Sequence, residues 1–494
     1  MHALHVPNDL PYRYSFLYSF ILMIICSYSI KNIKGLNPII VIVSYLLPVI
    51  FLLVIKMCNL GNVDGKVLLV NLVLITLYFI LYLIYYYDKK TSKYLKYALI
   101  LIASVEIICN INFNWIHTDD INDMYEYYDL IKETVKKLDK VEENNFYRLE
   151  KTFSITLNDT SWYNYNGITT FSSMEYERMA MLHHNLGING NLINSYEFFL
   201  NTPVYNIMFD LKYLLGYIYD KDNYELIYEN DKFNTYKFKY NTNLLYSVNN
   251  DIKDYKLENN NPILNQNNFV YLSTGIDNIF DKLNYKNKKI IDVTDGLSLM
   301  EYTYKNNYIN NYFYNNCDAE FYIINDTIYY KNDEILKYVN SKYYSSTNQL
   351  DENMLINFIS DNDEFKILIG TYYNENDIEV YSINSNKFNE ANNVLMQDKV
   401  KIEIFKDTYI KANVNNKSNN TIYTSIPYDD EIKVYVDGKK VNTFMIGDAL
   451  LGFDIESGKH VIEIKYQNNL MIVGSIISIT TLLVILCIQK RKCK

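Results

Sequence analysis

The stretch VLLVNLVLITLYFILYLIYYY, Val67–Tyr87, carries one amide, Asn71, and no charge over 21 residues. A helix rising about 1.5 Å per residue needs roughly 20 such residues to cross a bilayer core. Working outward, Tyr14–Ile30, Asn37–Ile55 and Leu95–Phe113 have the same character, Tyr14–Ile30 being the shortest. A fifth apolar stretch, Leu470–Ile488, precedes Lys490-Arg491-Lys492 at the end of the chain. Buried helices of a water-soluble protein would show a polar face, which these stretches lack. The pattern predicts a polytopic α-helical membrane protein: four helices within residues 1–113, a C-terminal helix at 470–488 and a tail at 489–494.

Basic residues set the expected orientation. Lys31 and Lys34 separate the first two spans, Lys89, Lys90, Lys93 and Lys96 the third and fourth, and Lys490, Arg491, Lys492 and Lys494 follow the last. The excess of Lys and Arg in cytoplasmic loops places these segments inside and the C-terminus in the cytoplasm. The N-terminal tail, the loop Met57–Lys66 and everything from about Asn114 to Asn469 are then extracytoplasmic, in a multi-pass protein of the cell membrane. Met1–Arg13 lacks the basic n-region of a signal peptide and reads as an outside loop broken by Pro7 and Pro11, before which further helices could belong.

The net charge is -10, and its positive part sits at loop ends rather than in a surface stripe, which excludes a nucleic-acid-binding role. Six cysteines, scattered singly, give neither a disulfide framework nor a CxxC metal spacing. The 51 tyrosines accompany many asparagines and reflect a compositional bias, which also masks any sugar-stacking signal.

The outer stretch, about 350 residues, exceeds one typical domain. Ile121, Met124, Tyr128, Ile131, Val135 and Leu138 recur at helical spacing between Asp120 and Glu143. A strand is expected at Phe146–Phe153 and a helix at Glu175–Leu186. Pro203 introduces a strand-rich run through Asp210–Tyr219, and Tyr224–Tyr228 with Lys232–Tyr240 reads as a hairpin. Asn249–Asn268, rich in asparagine, reads as loop. After Asp318 short strands alternate with polar turns, and Asp437-Gly438 signals a type I′ hairpin. The expectation is a mixed α/β domain at 114–316 followed by a jelly-roll-like β-sandwich at 317–469.

Few residues suggest chemistry. Arg13, at the outer boundary of the first span, could fork onto a lipid phosphate or simply snorkel to the interface. Glu106 lies inside the fourth span, where an ionisable group is costly, one turn from Asn110, so a packing hydrogen bond competes with a functional role. His117, Asp119 and Asp120 could hold a divalent cation, although an acidic helix start explains them as well and no metal motif supports a cofactor. His183-His184 reads as surface, and no phosphate-binding loop or Ser-His-Asp arrangement is present.

Several patches carry a resemblance: Pro11–Phe20, Phe146-Tyr147-Arg148-Leu149-Glu150-Lys151, Tyr165-Asn166-Gly167 through Ser173, Thr202-Pro203 with Leu211–Leu215, Ser425-Ile426-Pro427-Tyr428-Asp429, and Lys433–Lys440 with Ser457–His460. In order and spacing they resemble the YfhO family of bacterial membrane proteins. The resemblance implies a GT-C-like glycosyltransferase that takes a sugar from an undecaprenyl-phosphate carrier, inverts at the anomeric carbon and delivers it to a cell-envelope polymer such as lipoteichoic acid. It further implies a catalytic acid in a first outer loop that precedes the residues of this chain, so the catalytic residue is unassigned and an upstream membrane subunit is an expected partner. Glu106 and Asp119 are the candidate bases here, and Arg13 the candidate phosphate ligand. The alternative is a non-catalytic, membrane-anchored envelope protein whose sandwich binds polysaccharide or a protein partner. Where the family often has Gly-Trp after Pro-Tyr-Asp, this chain has Glu431-Ile432, so a stacking tryptophan is lost.

Overall fold

The computed structural model describes residues 15–31, 37–58, 63–87, 92–114, 125–143, 145–153, 155–198, 200–216, 218, 220, 222–240, 242–294, 297–308, 310–315, 321–324, 327–330, 355–359, 363–370, 378–398 and 400–492. Two compact units emerge, residues 1–120 and 121–494.

The first unit holds four helices: α1 (Ser15–Lys31), α2 (Pro38–Cys58), α3 (Gly65–Tyr87) and α4 (Ser92–Asn114). Their apolar stretches Ile39–Cys58, Gly65–Tyr87 and Tyr94–Phe113, with Asn469–Leu486 of the C-terminal helix, are long and apolar enough to cross a membrane. The apolar part of α1, Phe16–Ser29, is shorter. Side chains on these helices are exposed or half-buried, with Leu74 buried. Such a surface suits lipid and would be penalised in water. Polar side chains within the spans close on their own helix: Ser44, Asn71, Thr76, Ser104 and Asn112 each donate to the carbonyl one turn earlier. No donor is left bare in hydrocarbon at those positions. Between helices, Tyr45 stacks on Phe79 with ring centroids 4.4 Å apart and its hydroxyl lies 3.3 Å from Thr76 Oγ1.

The second unit is mostly β. Helix α5 (Tyr128–Val141) buries Ile131, Val135 and Leu138 of the stripe its spacing predicts, together with Thr134. It covers a sheet in which Arg148–Lys151 runs parallel to Leu211–Gly216, followed by Asn234–Phe238 and Tyr224–Glu229. Asp120–Met124, the expected first turn of that helix, lies outside the described residues.

Two readings need correction. Pro203 opens a helix, Pro203–Phe209, before the strand begins. Thr202 caps it, its hydroxyl accepting from the Tyr205 amide at 3.1 Å, and proline fits the first helical position because its missing N–H is not needed there. Asn249–Asn268 is likewise not a plain loop: a 3-10 turn at Asn250–Asp254 leads to a helix at Pro262–Thr274. Asn261 caps that helix at 3.2 Å from the Leu264 amide, and Asn265 and Gln266 are buried, donating to the carbonyls of Asn185, Glu258 and Leu186. Asparagine here supplies buried hydrogen bonds rather than solvent exposure.

Farther along, one sheet joins Tyr285–Thr294, Leu297–Lys305, Glu364–Gly370, Thr327–Tyr330 and Phe321–Ile324, and another joins Ile356–Ile359, Asn310–Asn315, Ile378–Ile383 and Phe280–Lys282. Both run across residue 316, where a domain boundary was expected. The C-terminal layers do the same. A five-stranded sheet (Lys401–Lys406, Tyr409–Asn416, Gly458–Tyr466, Ile432–Val436, Lys439–Lys440) shares an apolar core with a four-stranded one (Thr443–Ile446, Leu450–Ile455, Asn420–Pro427, Leu245–Val248). Leu245–Val248 reaches this layer from well before residue 317, pairing antiparallel with Thr421–Thr424. The Asp437-Gly438 hairpin has positive φ at both residues, 51° and 76°, as a type I′ turn requires. A fragment 317–469 expressed alone should therefore fold poorly, because strand Asn420–Pro427 would lose one neighbour. Dispersed amide NMR signals and cooperative unfolding from that fragment would show that residues 317–469 stand alone.

Candidate functional site

Two of the patches that carry the resemblance, Phe146–Lys151 and Ser425–Asp429, meet inside the second unit through Arg148. Its guanidinium is buried, donating at 2.5 Å to the Phe209 carbonyl, at 2.7 Å to Ser425 Oγ and at 3.1 Å to the Ser425 carbonyl. It also lies 5.1 Å from the Phe146 ring. One side chain thus ties the first strand, the end of helix Pro203–Phe209 and strand Asn420–Pro427. Burial pulls the guanidinium down from its usual value, while nearby Asp210 raises it. The same burial pushes the Asp210 carboxyl up from 3.8 to about 7, with Arg148 and Lys212 acting the other way.

Two residues on, Glu150 is fully buried and accepts from the backbone amides of Ile168 and Thr169, the latter at 2.7 Å, and from the Thr169 hydroxyl at 3.2 Å. Gly167 makes this approach feasible: a Cβ there would stand 2.8 Å from Glu150 Oε1 and 2.6 Å from Thr160 Cγ2. Lys151, next in the strand, is paired in the interior with Asp159. Asp159 also accepts from Ile155 N at 3.1 Å and from Thr156 N at 3.0 Å, so the ion pair has its other lone pairs occupied. Charged groups on both faces of one four-residue strand are a signal that the sequence offered: Arg148 and Glu150 point one way and Lys151 the other, so not all can reach water.

Beside this framework opens a groove of about 450 Å³. Asp139 of α5, Asn145, Phe146, Tyr147, Ser161, Asn164, Asn166 and Phe405 line it. Tyr147 donates to Asp139 Oδ1 at 2.7 Å, and the Phe146 and Phe405 rings meet at 4.6 Å. Asn164 adopts the left-handed conformation at φ 60°, which turns the chain at the groove's edge. The lining is aromatic, amide and hydroxyl with one carboxylate and no Lys or Arg. That donor set suits a neutral polyhydroxylated ligand and disfavours an anion.

The residues singled out from sequence lie elsewhere. Glu106 on α4 accepts a 2.5 Å hydrogen bond from Tyr78 Oη on α3 rather than standing alone in its span. Arg13, His117, Asp119 and Asp120 lie outside the described residues. Among the described residues no group of three or more His, Cys, Asp and Glu side chains could hold a metal ion. His183 is not a surface residue. It is buried between Tyr196 and Phe209, with ring centroids at 4.1 and 4.7 Å, and its Nδ1 lies 2.7 Å from Tyr205 Oη.

Burial, aided by the Arg148 charge, pulls His183 down from 6.5 to about 3. A depressed histidine brings stability that is full above about 6.5 and drains as pH falls toward 3, at about 1.4 kcal/mol per unit. Asp210, raised to about 7, acts oppositely: its contribution is present below 3.8 and is lost as pH climbs through 7. His183→Phe should therefore flatten the loss of stability on acidification from pH 7 to 4, and Asp210→Asn should steepen it. Thermal unfolding followed by near-UV circular dichroism across that window checks both, and parallel pH profiles for wild type and His183→Phe would contradict the assignment.

No curated protein and no solved structure matches this chain. The family model described as "Bacterial membrane protein YfhO" matches residues 1–478, spanning both units. With its apolar helices, its β-rich polar region and this match over nearly its whole length, the chain belongs to the YfhO family of bacterial membrane proteins.

Proposed function

We propose that the chain serves a membrane glycosyltransferase that moves a sugar from an undecaprenyl-phosphate carrier to a cell-envelope polymer of the lipoteichoic-acid kind, on the extracytoplasmic side. The match to the YfhO family over residues 1–478 carries this reading, and the groove beside Arg148 suits a neutral sugar unit of the acceptor. Inverting transfer needs a carboxylate to take the proton of the acceptor hydroxyl as its oxygen bonds the anomeric carbon. The bond from that carbon to phosphate breaks, its electron pair leaving with the lipid phosphate, which a cation stabilises. Glu106, with the Tyr78 hydroxyl aimed at its carboxylate, and Asp119 are the proposed bases, and Arg13 the phosphate ligand. Where Glu106 is the base, a divalent cation held by His117, Asp119 and Asp120 would neutralise the same phosphate. A membrane subunit bringing further spans and an acidic outer loop is the proposed partner.

The groove's part is to hold a neutral sugar unit of the acceptor, with Phe405 and Phe146 under its apolar face and Asn145, Asn164 and Asn166 around its hydroxyls. Phe405→Ala removes one stacking ring worth about 1.4 kcal/mol, or roughly tenfold in affinity. In reconstituted transfer of a labelled sugar from the lipid carrier, the variant should raise acceptor KM about tenfold with kcat unchanged. Unchanged KM would remove the groove from acceptor binding. Absence of transfer by wild type, alone and with the proposed membrane subunit, but retained polysaccharide binding would favour the second reading, a membrane-anchored binding protein.

A further inference from the structure

The small sheet Thr170–Phe171, Ser195–Glu197 and Asn189–Gly190 ends in two adjoining turns that hold apolar side chains out into solvent. Met174 is 88% exposed, Phe171 45%, Ile193 44% and Leu192 42%. Neither turn is slack. Asn191 Oδ1 accepts from the amides of Ile193, Asn194 and Ser195 at 2.9–3.0 Å, and Leu192 is held at φ 63°, a conformation that side chains other than glycine and asparagine seldom adopt. Ser172 locks the second turn, its amide on the Asn194 carbonyl at 3.1 Å and its hydroxyl accepting from Met174 N at 3.1 Å. Backbone strain and five hydrogen bonds keep four apolar side chains where water meets them, a cost that folding alone does not explain.

A short chain of hydrogen bonds leads from this tip to the root of the C-terminal helix. Tyr176 Oη donates to Asp429, whose Oδ1 accepts from Glu431 N at 2.7 Å. The Glu431 carbonyl accepts from Gln467 N at 3.3 Å, and its carboxylate from Asn469 Nδ2 at 3.4 Å. Asn469 begins the helix whose apolar stretch is long enough to cross a membrane, and Leu470 and Met471 behind it are exposed. The exposed tip therefore belongs to the end of the β-rich unit from which the chain enters lipid.

We propose that Phe171, Met174, Leu192 and Ile193 form a lipid-contacting tip, seated at the headgroup–acyl boundary of the bilayer that the C-terminal helix enters. Apolar burial drives the contact, because its neighbours Glu175, Asp429, Asp430 and Glu431 are acidic and offer nothing to anionic headgroups. Seating the tip also fixes the height of the groove above the lipid. Phe171 N donates to Asn158 Oδ1 at 3.2 Å, and Asn158 leads into the segment that supplies Thr160 and Ser161 to the groove wall.

The test uses the full chain in nanodiscs, its six cysteines replaced by serine and M174C labelled with an environment-sensitive fluorophore. Position 174 is so exposed that the label displaces no packing. Lipids brominated in the acyl chain should quench the label at least about twofold in neutral discs and no more strongly in anionic ones, as apolar insertion beside acidic neighbours demands. The same label at Y271C, an exposed site on helix Pro262–Thr274, serves as the reference and should stay unquenched. Leu192→Asn, which keeps the left-handed turn and removes an apolar anchor, should weaken quenching at M174C. Absence of bromine quenching at 174 overturns the proposal, as does a signal that changes only when two copies share a disc, which would assign the tip to a protein partner.

Discussion

Helix Pro203–Phe209 is buried over all seven residues, and the carbonyls at its end cannot reach water. The last turn of any helix leaves such acceptors unpaired, and burying one bare costs about 1–3 kcal/mol. Here the protein answers each from a different place. Thr242 Oγ1 and Tyr246 Oη donate to Ile207 at 2.7 and 3.1 Å, Tyr423 Oη to Met208 at 3.1 Å, and Arg148 to Phe209 at 2.5 Å. The donors come from strands Arg148–Lys151, Leu245–Val248 and Asn420–Pro427 and from the loop before the second of these. One short helix therefore sets the mutual position of the α5-covered sheet and the C-terminal layers.

This dependence explains why an expected boundary at residue 316 does not separate two sets of strands. Leu245–Val248 must stand beside Asn420–Pro427 for Tyr246 and Tyr423 to reach adjacent carbonyls, and their rings lie 5.0 Å apart. It also explains what Arg148 is for. Removing it would strand the Phe209 carbonyl and leave Asp210 without the cation that offsets its burial. Arg148 is thus a positioning residue, and the groove beside it, built on Phe146 and Tyr147 just before the same strand, inherits its geometry.

The membrane helices were legible in the sequence because length and apolarity alone decide them, and α1 was marked as the short one by the same measure. The Asp437-Gly438 turn and the stripe of α5 were legible for an equally local reason. Pairings between distant strands left no local trace: nothing in Leu245–Val248 names Asn420–Pro427 as its neighbour, nor Arg148–Lys151 a parallel partner at Leu211–Gly216. The chemistry misled for another reason. His183, Arg148 and Glu150 are polar residue types that usually face water, and here His183 and Glu150 are buried and the half-buried Arg148 turns its guanidinium inward, with partners drawn from far along the chain.

The compositional bias toward asparagine and tyrosine has a structural consequence of its own. A core built mainly from Leu and Val leaves cap and turn groups to be met by backbone or water, whereas phenols and amides carry donors inward. Tyr255 Oη reaches the Asn265 carbonyl at 3.1 Å, and Asn201 and Gln266 both reach Leu186. Burial holds the Tyr205, Tyr246 and Tyr423 phenols well above their usual range, so they remain protonated donors at any pH the cell meets. Surface tyrosines then say little about sugar binding, because the same residue type is in demand inside. What distinguishes the groove is therefore its shape and its lack of cations, together with Phe146 and Phe405, aromatic rings with no hydroxyl to place.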